Sequence, residues 1–192
     1  MLSDKIWITR KARIFSEKRL KNQAIISNII MIFYSFILVA FSIWNLVYGN
    51  ETVSMFLVFS AIAVLIATIF LTSQRYTERS ILIRTCYIRL DELYSKVKRA
   101  EEHNEKDSLE QYESEYAALL LNVENHTNYD YLCLRFSLRN QKNTTLPQFT
   151  KKSFWLFIWE KIWRVFLIAI CFMLPVLLVL FWEVIVGYGN HQ

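Results

Sequence analysis

The sequence lacks the residue patterns on which most enzymes depend. It has 3 glycines in 192 residues, no glycine-rich loop that could cradle a phosphate, and no G-x-S-x-G nucleophile motif. Its one candidate metal group is His126 with Glu124 and Asp130, and a lone histidine with two carboxylates falls short of a structural zinc site. We therefore expect a protein that is not an enzyme and that holds no metal or cofactor.

Cysteine is also scarce, with 3 residues far apart in the chain and no C-x-x-C pair. They are Cys86, Cys133 and Cys171. We interpret them as reduced thiols with packing roles rather than as a disulfide framework.

Charged residues are missing from three long stretches, 22–50, 52–74 and 165–182. A helix needs about 20 mostly apolar residues to cross the hydrocarbon core, whereas buried helices of soluble proteins are usually shorter and carry charge on one face. A signal peptide would have a shorter basic lead and an apolar run of about 7–15 residues. The sequence therefore predicts an all-α membrane protein with three transmembrane helices.

Lysine and arginine are unevenly distributed around these stretches. They lie in residues 1–24 and 74–164, and both the turn at 49–51 and the tail after Trp182 have none. Because basic residues close to spans stay in the cytoplasm, we expect the amino terminus and the central segment in the cytoplasm and the carboxyl terminus in the periplasm. Anionic headgroups then account for the net charge of +5 without nucleic-acid binding.

Composition divides the chain into five segments. They are a basic amphipathic helix at 1–23, a two-span hairpin at 24–73, a cytoplasmic helical domain at 74–140, a linker at 141–152, and an interfacial helix with the third span at 153–192. We interpret the first segment as a helix that lies on the membrane surface and then enters the first span. The last segment opens with aromatic residues beside lysine and arginine, which is typical of a membrane interface.

Residues 74–101 contain neither glycine nor proline, so we expect the second span to continue into the cytoplasm as one helix. Apolar residues recur in it every seven positions, and a second apolar helix face follows after a polar turn at 102–107. The two seams are Tyr76, Ile83, Leu90 and Val97 with Tyr87 and Tyr94, and then Leu109, Tyr112, Tyr116, Leu119 and Val123. These seams predict a cytoplasmic helical hairpin.

Polar residues align along one face of the first predicted span. They are Asn28, Ser35 and Ser42, at steps of seven residues, followed by Asn45. Such a face could line a pore within an oligomer. The alternative is that these side chains form hydrogen bonds between helices, which contribute about 0.6 kcal/mol each in membranes.

The third predicted span contains two unusual residues for a membrane helix. Pro175 lies near its middle, where we expect a kink that neighbouring helices can accommodate. Glu183 lies near its outer end, and a membrane-embedded acid is a candidate for gating or ion binding. The alternative is that Glu183 reaches the membrane interface and has no such role.

Several segments together resemble a known family. They are the basic helix TRKARIFSEKRLKNQ (9–23), the tight two-span hairpin, the helix SQRYTERSILIRTCYIRLDELYSKV (73–97) and ENHTNYDY (124–131). Over residues 5–140 the chain resembles the SLATT family, the SMODS and SLOG-associating two-transmembrane effector domains of bacterial defence systems. The likeness is closest to the subfamily found beside reverse transcriptases, and its most specific residues are Glu124, Asn125, His126, Asp130 and Tyr131.

The resemblance implies an effector that oligomerises, perforates the inner membrane and arrests growth during phage infection. It implies a partner system, a reverse transcriptase or a nucleotidyltransferase, that supplies a nucleic-acid or nucleotide signal. Basic clusters suit anionic ligands, so the candidate signal- or partner-binding residues are Arg10, Arg13, Arg19, Arg75, Arg79 and Arg84. A non-conducting membrane-anchored scaffold or sensor is the alternative, and the third span departs from the two-span pattern of the family.

Overall fold

Six α-helices form the part of the chain that the structure, a computed structural model, describes. These residues are 1–49, 51–121, 123–139 and 150–189, with side chains described as far as residue 173. The helices are α1 (Leu2–Tyr48), α2 (Glu51–Ser73), α3 (Tyr76–His103), α4 (Lys106–Leu121), α5 (Asn128–Ser137) and α6 (Lys151–Gly189). No strand occurs within these ranges, so the all-α prediction is confirmed. Most of the predicted linker at 141–152 lies outside the described residues.

The chain forms two compact units, Met1–Phe149 and Thr150–Gln192. The first contains α1 to α5, and the second contains α6. At the start of α6 the backbone N–H of Ser153 donates to Thr150 Oγ1 at 3.4 Å, which satisfies one of the donors left free at a helix start.

Helix α1 joins the basic segment and the first apolar stretch without a break. Its 47 residues contain no glycine or proline, and at 1.5 Å per residue it is about 70 Å long. It ends at Gly49, whose left-handed backbone (φ 65°) lets its N–H donate to the Asn45 carbonyl. Ile6, Ala12 and Leu20 are fully buried. The apolar face of the basic half is therefore covered by protein, which differs from the membrane-surface placement expected from the sequence.

The main partner of the basic half of α1 is α3. The two helices are antiparallel, because Ser3 N–H donates to Glu101 Oε1 (3.1 Å) near one end and the Tyr87 hydroxyl donates to Glu17 Oε2 (3.0 Å) nearer the other. The number of residues between these two contacts is the same on α1 as on α3. We call the basic half of α1 together with α3, α4 and α5 the bundle.

Heptad spacing explains the core of the bundle. Ile83, Leu90 and Val97 are buried, as the seven-residue repeat predicts. The second buried row is Cys86, Leu93 and Ala100 rather than the predicted Tyr87 and Tyr94, which lie half-buried beside it. Position 94 follows an a position by four and so flanks the seam, whereas position 93 follows it by three and faces the seam.

The prediction that the second span continues unbroken into α3 is wrong. Helix α2 ends at Ser73, and Arg75 has a left-handed backbone (φ 48°). The N–H groups of Gln74 and Arg75 donate to carbonyls three residues back, and the Ser73 hydroxyl donates to the Phe70 carbonyl. These local bonds tighten and end the helix where the apolar run ends. We call residues 74–75 the hinge.

Helix α4 returns along the bundle after a short turn. Asn104 ends α3 with a left-handed backbone (φ 54°), a conformation that asparagine adopts more readily than most residues. Leu109, Tyr112, Tyr116 and Leu119 of α4 pack against the buried core. The Tyr116 hydroxyl also lies 2.8 Å from Thr9 Oγ1 of α1, so α4 contacts both long helices.

Two stretches of the described residues are long and apolar enough to cross a membrane: α1 (Leu2–Tyr48), and α2 taken together with the hinge and α3 (Glu51–His103). Their apolar windows have no buried residue, as expected for helices that face lipid or other copies of the chain. The third span stays a prediction. Pro175 and Glu183 belong to the part of α6 whose side chains lie outside the described residues.

Candidate functional site

A group of polar side chains joins residues 124–131 to α1 and α3. We call it the polar cluster. Its members are Arg13, Ser16 and Arg19 of α1, Arg79 of α3, and Glu124, His126, Thr127 and Asp130. It contains three arginines and two carboxylates.

Asp130 is the buried anion of the cluster, with no exposed surface. Its carboxylate accepts from Arg19 Nε (3.0 Å) and from the Ser16 hydroxyl (2.8 Å). Thr127 donates to it through both its backbone N–H and its hydroxyl. Burial alone would raise the pKa of the Asp130 carboxyl, but the hydrogen bonds from Arg19, Thr127 and Ser16 hold that pKa below its usual range.

Thr127 and Asp130 form a capping box that starts α5. Thr127 accepts from the Asp130 backbone N–H, and the Asp130 side chain accepts from the Thr127 backbone N–H. The same carboxylate therefore begins α5 and attaches it to α1. The spacing Thr-x-x-Asp, followed by an apolar run, is a sequence signal that could have predicted this start.

Glu124 lies between two arginines. Arg79 Nε donates to its carboxylate at 2.9 Å, and Arg13 donates to its backbone carbonyl at 3.5 Å. Arg79 also donates to the Gln74 carbonyl at 3.4 Å. Arg79 therefore connects residue 124 to the hinge at the end of α2.

Arg13 is a buried cation, 2% exposed, for which no ion pair occurs in the described part of the chain. It occupies the middle of a seven-residue row with Ile6 and Leu20 on α1. Its Nε atom, Glu124 Oε1 and His126 Nδ1 are buried and have no hydrogen-bond partner among the described residues. A buried guanidinium without a carboxylate is costly for stability.

Burial lowers the pKa of His126; Asp130 opposes this change and the positive charge of Arg13 adds to it. The neutral imidazole is therefore favoured in the folded protein. Its ring lies 6.2 Å from the ring of Tyr131, and the Arg135 guanidinium lies 5.9 Å from the centre of the Tyr131 ring. Asn125 is exposed and its side-chain oxygen accepts from the His126 N–H.

Of the six arginines predicted to bind the signal, the structure brings Arg13, Arg19 and Arg79 together in the polar cluster. Arg10 pairs with Asp91 and lies over the Tyr94 ring. Arg75 and Arg84 are at the surface. Sequence reasoning missed Ser16 and Thr127 as members of the cluster, because neither residue type marks an ion-pair site.

The polar face predicted to line a pore divides into two parts. Asn28, Ser35 and Ser42 are exposed on α1, and the Ser42 hydroxyl donates to the Leu38 carbonyl of its own helix (2.8 Å). Asn45 is buried and donates to Ser54 Oγ of α2 at 2.7 Å. Asn45 thus joins the two apolar helices near their turn, and the other three face outward.

A groove of about 300 Å³ lies between the apolar halves of α1 and α2. It is lined by Ile30, Met31, Tyr34, Ala63, Val64, Ala67, Thr68 and Leu71. The small side chains Ala63 and Ala67 of α2 form part of this lining.

The cysteines occupy packing positions. Cys86 is buried in the core, and burial raises the pKa of its thiol, so that the thiol stays protonated at neutral pH. Cys133 and Cys171 are half-buried. The described residues contain no group of three or more histidine, cysteine, aspartate or glutamate side chains that could hold a metal.

Comparison with family models finds a match to "SMODS and SLOG-associating 2TM effector domain family 5" over residues 1–181. The matched region contains the bundle, both apolar helices, the polar cluster and most of α6. Searches of curated proteins and of solved structures found no match.

Proposed function

This chain belongs to family 5 of the SMODS and SLOG-associating two-transmembrane effector domains, and we propose that it oligomerises in the bacterial inner membrane to form or gate a pore. Membership makes it a membrane effector of defence systems. In our proposal a partner enzyme, a reverse transcriptase or a nucleotidyltransferase, supplies a nucleic-acid or nucleotide signal. The pore then dissipates the membrane potential and arrests growth.

The continuity of α1 is the observation that carries this proposal. The same unbroken helix contributes Arg13, Ser16 and Arg19 to the polar cluster and Asn28, Ser35 and Ser42 to the exposed polar face. Asn28 is nine residues beyond Arg19, which is about 14 Å along the helix. A change in the contacts of residues 124–131 can therefore rotate or tilt the polar face without any intervening joint.

Oligomerisation is required because three spans cannot enclose an aqueous lumen. The large exposed apolar side chains on the outer halves of α1 and α2, such as Ile32 and Phe36, suit lipid or a neighbouring copy. Within an oligomer, Asn28, Ser35 and Ser42 would line the path, whereas Asn45 would hold α1 against α2. The orientation in this proposal places the amino terminus and the bundle in the cytoplasm.

Replacement of two serines on this face tests the lining assignment. We expect Ser35→Leu with Ser42→Leu to abolish the depolarisation that follows expression, because an apolar face cannot hydrate an ion path. The measurement is the fluorescence of a potential-sensitive dye in expressing cells, with membrane insertion checked by fractionation.

The matched control is Ser60→Leu in α2, which makes the same chemical change away from the predicted face. We expect Ser60→Leu to depolarise cells as the unaltered chain does. Unchanged depolarisation in the Ser35/Ser42 double variant would show that this face does not line the path.

A non-conducting scaffold or sensor is the second candidate function. Two observations favour it. Asn28, Ser35 and Ser42 are exposed. Among the described residues in the apolar halves of α1 and α2, the one buried polar side chain is Asn45, and it pairs with Ser54. Dye leakage from liposomes containing reconstituted oligomers separates the two functions. Absence of leakage in the presence of the partner and its product would support the scaffold.

A further inference from the structure

The polar cluster has more positive than negative charge around residue 124. Arg19 is paired with Asp130. The second carboxylate of the cluster, that of Glu124, pairs with Arg79, whereas Arg13 donates to the Glu124 backbone carbonyl. Burial lowers the pKa of His126 and so favours its neutral form. The imidazole therefore contributes no charge to the site. The cluster therefore has one carboxylate fewer than it has arginines, and Arg13, which has no ion pair among the described residues, is almost completely buried.

Three polar atoms in the same place also have no hydrogen-bond partner among the described residues. They are Arg13 Nε, Glu124 Oε1 and His126 Nδ1. Buried polar atoms are normally satisfied. Arg10 Nε, further along α1, is also buried without a partner, but the other three atoms lie together around Glu124, which indicates a site that can accept one more polar group.

The two arginines differ in their exposure to solvent: Arg13 is buried, whereas Arg79 is partly exposed. The Arg79 and Glu124 side chains are 36% and 31% exposed, and Arg13 lies beneath them. A ligand that arrives from solvent would meet Arg79 first and would reach Arg13 only by taking the place of Glu124. Residues 124–126 precede Thr127, the N-cap of α5, and lie outside any helix.

We propose that Arg13 and Arg79 form a binding site for a doubly charged oxyanion, a phosphate group, and that the Glu124 carboxylate occupies this site in its absence. A phosphate monoester carries about −1.5 to −2 charges at neutral pH and three acceptor oxygens. It would match both guanidinium groups, which bind oxyanions in bidentate geometry. Binding of the phosphate group would displace Glu124, free residues 124–127 and release the contact between Arg79 and residue 124.

Two sources could supply this group. A free phosphate compound would enter from solvent. A lipid headgroup could also reach the site, because Arg79 is only four residues beyond Arg75, the first charged residue after the apolar run of α2. Four residues are about 6 Å along a helix. The consequence for pore opening rests on the proposed function, whereas binding does not.

The test measures binding of inorganic phosphate to the full chain in uncharged detergent by titration calorimetry, with chloride at equal ionic strength as the reference. We expect Arg13→Met to lose phosphate binding by about tenfold or more, since it removes one of two charged donors. Arg89→Met, the same change at an exposed arginine of α3, should bind as the unaltered chain does. Arg13→Lys retains the positive charge. If Arg13→Met folds poorly, Arg13→Lys is measured instead, and we expect it to keep part of the affinity of the unaltered chain for phosphate.

Glu124→Gln should change the affinity for phosphate in the opposite direction from Arg13→Met. Because it weakens the internal competitor and leaves both arginines in place, we expect it to bind phosphate more tightly than the unaltered chain, by about fivefold or more. Hydrogen exchange at the amides of residues 124–131 should increase when phosphate is added. A purely structural role for Glu124 would instead weaken binding or leave it unchanged, and either result overturns the proposal.

A second experiment tests the lipid headgroup as the source of the phosphate group, and it uses nanodiscs of phosphatidylcholine alone or with phosphatidic acid. The same exchange increase with phosphatidic acid, without added phosphate, identifies the headgroup as a source. An increase with phosphate alone identifies the free compound. If neither raises exchange at residues 124–131, the site does not bind this group. Depolarisation assays on the same variants then report separately on the pore.

Discussion

At the scale of single residues, Asp130 has the strongest consequences for stability. It is buried with Arg19, which is 11% exposed on its side chain, and it also starts α5. We predict that Asp130→Asn destabilises the bundle by about 3–5 kcal/mol, because it leaves a buried guanidinium without a charged partner. Asp91→Asn removes a carboxylate that is 59% exposed from its pair with Arg10, and it should cost less, about 1 kcal/mol. Urea unfolding followed by circular dichroism measures both, and equal losses would contradict the ranking.

His126 makes a pH-dependent contribution at the same scale. Its folded pKa is lowered, so the unfolded chain takes up a proton at a higher pH than the folded chain does. The stabilisation is therefore fully present above the unfolded pKa of about 6.5, and it is lost as the pH falls through the folded value. We predict a falling urea midpoint between pH 7.5 and 5.5 that is absent in His126→Gln. His103→Gln, at the exposed end of α3, should keep the dependence, and a pH profile that is unaltered in His126→Gln would exclude this group.

At the scale of helices, α3 organises the bundle because α1 and α4 both pack against it. Leu90 is completely buried in its seam, so Leu90→Ala should lower the free energy of unfolding by about 2–5 kcal/mol. Leu82 lies on the same helix but is 56% exposed, and Leu82→Ala should stay within about 0.5 kcal/mol of the unaltered chain. The two variants remove the same atoms, so their difference in thermal unfolding measures burial alone. Equal effects would contradict the assigned seam.

The hinge belongs to the same scale. Sequence periodicity cannot reveal it, since residues 74–101 contain no helix breaker and the apolar repeat continues through them. The hinge arises from local hydrogen bonds at the end of α2 and from the bond between Arg79 and the Gln74 carbonyl. That bond depends on the position of Glu124, which tertiary packing sets.

At the scale of the whole molecule, three spans and two spans predict opposite positions for the carboxyl terminus. With the amino terminus in the cytoplasm, three spans place Gln192 in the periplasm. We predict that alkaline phosphatase fused after Gln192 is active, because this enzyme needs an oxidising compartment. The same fusion after Leu138, before α6, should be inactive. Activity of the shorter fusion would reverse the orientation, and inactivity of the longer one would remove the third span.

The sequence by itself determined the properties that depend on neighbouring residues along the chain. The uncharged stretches, the helical repeat of Ile83, Leu90 and Val97, and the family likeness all follow from local composition and order. The apolar character of the two described membrane segments is also local. These properties need no knowledge of which helix lies beside which.

Only the tertiary structure decided the partners of the charged residues. Arg19 and Asp130 are 111 residues apart in the chain, and Arg79 and Glu124 are 45 apart. Arg13 resembles any other residue of a basic surface helix until α3 and residues 124–131 cover it. An ion pair depends on the positions of two side chains in space, and the antiparallel packing of α1 against α3 sets those positions.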